Sequence, residues 1–337
     1  MNVQTFLNCP VCNSQSQLVA KDMEGYQEGD FYNLYECLGC DVTFIDPTIT
    51  NFNIYNLIYK HSKEIRGYFR YEKIARNILK KKNPMEYLTS HGDTYWAINN
   101  ILKTNIRKEA DRILEVGCGY GYLTFALAQA GYDITGLDIS QEAIDRATKT
   151  YGSFYICKDI FTIEETNENN YNCIILTEVL EHVADPVRFL KKLKSLLLPN
   201  GKIVLTTPNK DAYNGVDVWC TDYPPIHTFW FSEDCMRKIA GIVGLTVSFL
   251  DFSHYNKAHF DIAKVSPKSA KGGVFFDRNG HLKNSAKATF FLKSIYFVMD
   301  AFPALIRLMS YIRMKPFRKG VDWHRRNFMC VTLQSQA

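Results

Sequence analysis

The spacing of apolar and polar positions changes period twice along the chain. Residues 1–48 hold three short β-prone runs, at 17–20, 31–36 and 42–45. Between 51 and 109 the apolar residues recur every three or four positions, at 54–57, 65–69, 74–79 and 95–102, which predicts amphipathic helices. Lys80-Lys81-Lys82 reads as a solvated helix end that complements the helix dipole, and Asn83-Pro84 stops that helix. From Arg112 the pattern alternates. Strands are predicted at 113–116, 133–137, 153–157, 172–176, 202–206 and 245–251. Helices are predicted at 122–130, 140–150, 186–197 and 232–243. Ser140 and Ser232 are placed as N-caps, Gly131 and Gly244 as helix stops, and Pro199-Asn200-Gly201 as a turn.

Strand–helix alternation of this kind predicts an α/β fold with a doubly wound parallel sheet and right-handed crossovers. The rhythm breaks after residue 252. Residues 254–280 read as loop, and 286–319 as an apolar, basic stretch that Pro303 divides into two helices. A final strand is predicted at 328–333. The expected organisation is a small N-terminal module (1–48), a helical lid segment (49–109), a nucleotide-type core (110–252), an inserted loop with amphipathic helices (253–325), and a last core strand with tail (326–337).

Composition narrows this picture little. Of 337 residues, 46% are hydrophobic, enough for a sizeable core. The net charge of +5 is too small to argue for nucleic acid. There is no run of eighteen apolar residues and no basic, apolar start, so neither a transmembrane helix nor a signal peptide is expected. Six of the ten cysteines are scattered, which favours a reducing, cytoplasmic setting.

The other four cysteines form two pairs, Cys9-Pro10-Val11-Cys12 and Cys37-Leu38-Gly39-Cys40, separated by 24 residues. Each pair can offer two thiolates to one ion, and two such knuckles give the four-sulfur tetrahedron that structural zinc prefers. A module this small has little core of its own, so the metal would supply folding energy. A redox dithiol would need only one pair, at the start of a helix.

The central chemical signal is Glu115-Val116-Gly117-Cys118-Gly119-Tyr120-Gly121, between a predicted strand and a predicted helix. Glycines there let the backbone turn tightly and approach a ligand at the carboxyl end of the first strand. Asp138 closes the second strand, 17 positions after Gly121, where it can accept from ribose hydroxyls. A carboxylate at Glu115 would repel a pyrophosphate and suits a cationic sulfonium cofactor with an amino-acid tail. Together with Lys158-Asp159-Ile160, the run Thr177-Glu178-Val179-Leu180-Glu181-His182-Val183 and the stretch 197–209, these motifs resemble, in order, the class I S-adenosylmethionine (SAM)-dependent methyltransferases, in their ubiquinone-biosynthesis-like branch.

That resemblance implies a seven-stranded Rossmann-like core with a zinc-ribbon-like module ahead of it. It also implies that Glu115, Gly117, Cys118, Gly119 and Gly121 surround the methionine part of SAM. Asp138 and Ile139 would meet the ribose, Asp159 and Ile160 the adenine, and Glu178 would lie beside the cofactor. Methyl transfer to a hydroxyl needs a general base. His182 is the first choice and His227 the second; the alternatives are a loop-orienting or helix-capping His182 and a packed His227. The expected acceptor is a small molecule, most simply a hydroxyl of a saccharide, glycan precursor or secondary metabolite. Trp219, Tyr223 and Trp230 could stack on its ring. The segment 286–319 reads as a lid on the N-terminal helices in preference to a peripheral membrane contact. A nucleic-acid- or protein-binding zinc ribbon on a Rossmann-like scaffold is the rival reading, and RNA methylation a third.

Overall fold

The computed structural model of the protein describes residues 7–49, 52–165, 170–212, 222–259, 274–301 and 324–335. It opens with strands β1 (Leu7–Asn8), β2 (Gln15–Glu24), β3 (Phe31–Cys37) and β4 (Thr43–Asp46). Helices α1 (Phe52–His61), α2 (Phe69–Asn77), α3 (Pro84–His91) and α4 (Asp93–Asn105) follow. Then come β5 (Arg112–Val116), α5 (Tyr122–Gln129), β6 (Asp133–Asp138), α6 (Gln141–Tyr151), β7 (Tyr155–Cys157), β8 (Tyr171–Thr177), α7 (Pro186–Ser195) and β9 (Leu197–Pro208). The remaining elements are β10 (Phe229–Trp230), α8 (Glu233–Val243), β11 (Leu245–Phe249), α9 (Ser253–His259), α10 (Phe290–Ala301) and β12 (Phe328–Ser335).

The main sheet has seven strands in the order β11-β12-β9-β8-β5-β6-β7. It is the expected doubly wound α/β sheet, with one antiparallel strand: β12 runs against both β9 and β11. The order reverses between β5 and β8, so the loops leaving those strands open onto the switch-point crevice where such sheets take ligands. Serine caps at Ser140 and Ser232 accept from Ala143 N and Cys235 N, as the cap pattern predicts.

The cysteine-bearing strands form a second sheet, ordered β1-β2-β3-β4-β10. Its last strand comes from far along the chain, with Phe44 opposite Phe229 and Thr43 opposite Trp230. One apolar cluster runs through both sheets and joins Val42, Phe44 and Cys37 to Phe229, Met236, Leu190 and Leu205. A second cluster, on the other face of the main sheet, packs α2, α3, α4 and α5. A third joins Tyr26 and Ile54 to Phe275 and Phe276.

Several local expectations change. Asn83-Pro84 ends one helix and also starts the next: Asn83 accepts from Glu86 N at 3.2 Å, and Pro84 opens α3, where its missing N–H costs nothing. Residues 65–68 are turn instead of helix, because Ile65 bridges Lys287 and Arg66 N donates to Ala286 O. Pro199-Asn200-Gly201 lies inside β9. Tyr171 pairs with Leu197 but Cys173 with Lys202, so these residues bulge out of a continuing strand, with Asn200 at φ 63°. The start of the 254–280 stretch is helix (α9) instead of loop. Only the first of the two helices expected in 286–319 is described, as α10. It carries exposed Phe290, Phe291 and Phe297, with the Lys73 ammonium of α2 over the Phe297 ring. The rest of that stretch, Pro303 included, and Trp219 lie outside the described residues. Among the described residues no helix is long and apolar enough to cross a membrane.

Candidate active site and cysteine cluster

The glycine loop is built by its backbone. Gly117, Gly119 and Gly121 have φ of +75°, +49° and +77°, the left-handed region that other residues enter only with strain. Space is equally restrictive. A Cβ on Gly117 would lie 2.6 Å from Val179 Cγ2, and one on Gly121 would lie 2.7 Å from Ala147 Cβ. The first contact also shows how closely the loops after β5 and β8 approach each other. Gly119 N donates to Asp138 Oδ2 at 2.8 Å and Ser140 N donates to Asp138 Oδ1 at 2.9 Å, so the acid at the end of β6 braces the loop.

Two carboxyls converge here. Glu115 is buried and accepts from the Thr124 hydroxyl; burial pushes its carboxyl up to about 7, against that hydrogen bond and with Asp138 adding in the same direction. Burial also raises Asp138, opposed by its backbone donors. Cys118 is buried and its thiol is pushed up by the same desolvation. Two acids at one loop disfavour a phosphate there.

Along the rest of this wall Ile139 is half exposed to the cavity, Ile160 is buried, and Asp159 caps the short turn after β7 by accepting from Phe161 N at 2.9 Å. Sequence reasoning missed Tyr59. This α1 side chain lies over the loop, its hydroxyl 3.3 Å from where a Gly119 Cβ would stand and its ring edge-on to Tyr120 at 5.7 Å. Burial, helped by Asp138, holds the Tyr59 hydroxyl well above the ordinary phenol range, so it stays protonated.

The other end of the same cavity is formed by the segment after β8. Glu178 has φ 55° and its N–H donates to Thr206 O, which turns the chain into the single 3-10 turn Leu180–His182. That turn brings Glu178, Glu181 and His182 to one side. Glu181 is fully buried and its Oε2 accepts from Thr207 Oγ1 at 2.9 Å. His182 Nδ1 lies 2.6 Å from Ile226 O, and its ring meets His227 edge-on at 4.7 Å between centroids. His227 is buried, with Nε2 3.9 Å from Asp222 Oδ1. Burial lowers both histidines to about 3, with mutual repulsion adding for His182, so both are neutral at physiological pH. Burial raises Glu178 to about 7 and Glu181 well above the carboxylate range, the latter helped by Glu178.

Tyr55 and Asp222 also went unread in the sequence. Tyr55, one turn before Tyr59 on α1, donates to Ile226 O at 3.3 Å and meets His182 edge-on. The aromatic side chains expected to hold a ring sit elsewhere: Trp230 packs with Leu34 and Ile45, and Tyr223 joins the Tyr26 cluster. One cavity of about 2180 Å³ spans both ends, from Glu115 and Asp138 to His182 and His227. A single small ligand needs roughly 300–1,000 Å³, so the space suits a cofactor and an acceptor together.

The four knuckle cysteines also meet. Their sulfurs all lie within 4.8 Å of one another, with Cys9–Cys40 at 3.7 Å and Cys12–Cys37 at 3.4 Å. Sulfurs about 2.3 Å from a tetrahedral zinc stand about 3.8 Å apart, so the set fits that ion. Val11 N donates to Cys9 Sγ, and Gly39 N and Cys40 N donate to Cys37 Sγ, the bonds a thiolate accepts. A Cβ on Gly39 would fall 2.3 Å from Ser14 Oγ, so the second knuckle needs its glycine.

Residues 73–248, just over half of the chain, match the family described as "Methyltransferase domain". The ubiquinone biosynthesis O-methyltransferase of Coxiella burnetii (strain RSA 493 / Nine Mile phase I) is 34% identical over 115 residues, covering 33% of this chain and 49% of the relative. The protein of the same name from Actinobacillus pleuropneumoniae serotype 7 (strain AP76) is 36% identical over 108 residues, covering 29% and 46%. The chain thus spans about half the length of the curated relatives it matches. Among solved structures, magnesium protoporphyrin IX methyltransferase from Synechocystis PCC 6803 with bound SAM is 19% identical, with 59% of this chain and 89% of that chain covered at a TM-score of 0.38. On the extent of the family match, the chain belongs to the class I SAM-dependent methyltransferases.

Proposed function

We propose that this protein transfers the methyl group of SAM to an oxygen of a small-molecule acceptor. The observation that carries this reading is a single cavity with the Glu115/Asp138 glycine loop at one end and Glu178, Glu181, His182 and His227 at the other. When bound, SAM supplies an electrophilic methyl carbon and its own leaving group, so the protein's work is alignment and management of one proton.

In this reading Glu115, Gly117, Cys118, Gly119 and Gly121 enclose the methionine part, and Asp138 and Ile139 the ribose. Asp159 and Ile160 border the adenine, and Glu178 stands between cofactor and acceptor. His182 and His227, both neutral, deal with the proton of the acceptor hydroxyl. The names of the curated relatives support oxygen as the atom methylated; a phenolic, saccharide or other metabolite hydroxyl remains the acceptor class. Cys9, Cys12, Cys37 and Cys40 hold a structural zinc, supported by their sulfur spacing.

Isothermal titration with SAM and, separately, with NAD tests the cofactor. SAM should bind and NAD should not; the reverse result ends this reading. Transfer of labelled methyl from SAM to panels of phenols, saccharides and RNA then sorts the acceptor. Label appearing only in RNA would replace the small-molecule assignment.

A further inference from the structure

We propose that the turn between α1 and α2 is an oxyanion-binding subsite of the cavity, where Arg66 holds a carboxylate or phosphate group carried by the methyl acceptor.

Arg66 lines the cavity on the wall made by α1 and α2, together with Tyr55, Tyr68 and Arg70. The turn that carries it is tied down from behind. Arg66 N donates to Ala286 O at 2.9 Å, Ile65 bridges Lys287, and the Ile65 side chain is fully buried. The guanidinium therefore springs from an anchored backbone. It belongs to the acceptor end of the cavity. Tyr68, two residues on, feels the charge of Asp222, and Asp222 Oδ1 stands 3.9 Å from His227 Nε2.

What marks Arg66 is a missing partner. The residue is half-buried, and its Nε is sealed from solvent without a hydrogen-bond partner. Among the described residues no ion pair reaches its guanidinium. Neighbouring arginines of the cavity are engaged: Arg326 with Asp93 and Asn256, Arg188 over the Phe161 ring, and Arg70 with the Tyr71 hydroxyl at 2.7 Å. A buried N–H costs free energy until something accepts from it. The planar fork of Nε and a terminal nitrogen matches two oxygens of one carboxylate or phosphate. Arg70 adds positive charge on the same wall: burial raises Glu178, and Arg70 works against that rise. Burial also keeps Glu181 protonated, which spares an anion that repulsion.

The anchoring of an acceptor rests on the methyltransferase reading; oxyanion binding at Arg66 does not. In that reading the acceptor is a hydroxyl compound with a carboxylate or phosphate at its far end. Arg66 grips the anionic end, which leaves the hydroxyl toward His182 and His227. A few well-placed polar groups of this kind set orientation in an otherwise aromatic pocket. Neutral phenols and unsubstituted sugars lack the grip and are poor acceptors.

The test is calorimetric titration of the full chain, without SAM, with benzoate and separately with inorganic phosphate at low salt. At least one should bind, roughly in the millimolar range for so small a ligand. Tighter benzoate assigns a carboxylic acid acceptor, and tighter phosphate a phosphate ester. Arg66→Met should weaken binding about tenfold or more, and Arg66→Lys, which keeps the charge and loses the fork, less. On the unaltered protein the bound anion should protect Arg66 from modification by phenylglyoxal, mapped by mass spectrometry, a readout that survives if the variants fold poorly. No binding of either anion at roughly 50 mM, equal binding by Arg66→Met, or an Arg66 left unprotected overturns the proposal. A SAM titration on the same sample separates the two claims. SAM binding without anion binding removes only the subsite, and anion binding without SAM binding removes only the methyltransferase reading.

Discussion

His182 Nδ1 sits 2.6 Å from the carbonyl oxygen of Ile226, 44 residues further along the chain. A carbonyl can only accept, so this contact calls for a proton on Nδ1. The same carbonyl is shared with the Tyr55 hydroxyl of α1. Replacing His182 by Ala should lower kcat by about 10²–10⁴-fold, the range for losing a proton-handling group, with SAM affinity within a few-fold of the original. Steady-state kinetics beside calorimetric SAM titration checks this; an equal loss in both would make His182 part of the cofactor site.

Gly119→Arg should abolish measurable SAM binding while the chain stays folded. The position has φ +49° and its Cβ would point at Tyr59, so the new side chain enters the cavity instead of the core. The strain costs about 1–3 kcal/mol, visible as a fall of a few degrees in Tm. Gly121→Ala should cost more stability, because Ala147 and Tyr155 leave no room.

If Glu115 borders SAM as proposed, binding should depend on pH. Its carboxyl is raised from 4.5 to about 7 in the folded protein, so it is largely neutral at pH 5.5. A cation beside it favours the ionised form, and binding releases a proton. SAM affinity should therefore rise from pH 5.5 to about 7.5 and then level off. The folded-state sign is the opposite. Stability from holding the proton is complete below the unfolded value and is lost as pH rises through about 7, so the Tm without SAM should fall across that window. Glu115→Gln should flatten both profiles, measured by calorimetry and thermal melts; profiles unchanged in that variant would assign the dependence to another group.

The purified chain should carry one zinc that resists dialysis, measured by elemental analysis, and Cys37→Ser should lose it. Because Phe44, Val42 and Cys37 share an apolar cluster with Met236 and Leu205, the loss should lower the Tm of the whole protein in a single transition. A separate early transition with the main melt unmoved would show the two sheets to be energetically independent.

What the sequence made legible was whatever depends on local backbone demand. Gly117, Gly119 and Gly121 are glycines because of their own φ angles, and Asp138 lies where its strand ends, so motif and spacing place them. The cysteine pairs were readable for the same reason. Tyr59, Tyr55 and Asp222 were not, because only tertiary packing brings α1 and residue 222 over the crevice. Glu181 stood next to His182 in the sequence, yet only the 3-10 turn shows that both face one point. Asn83-Pro84 misled because one dipeptide both ends and starts a helix. Pro199-Asn200-Gly201 misled because a bulge and a turn share the same residues.

The pairing of β4 with β10 has a consequence for how the chain reaches this structure. Ile45 N donates to Thr228 O, and Thr228 in turn donates from its N–H and Oγ1 to the Glu181 carbonyl. The two partner strands lie on either side of the helical segment and the first five strands of the main sheet. Closing a loop of that length is costly in entropy and slow. All four cysteines, by contrast, precede the helical segment and are made well before β10. During synthesis the cysteine sheet therefore waits with the β4 edge unpaired, a surface prone to wrong partners, until Phe229 and Trp230 arrive to cover it.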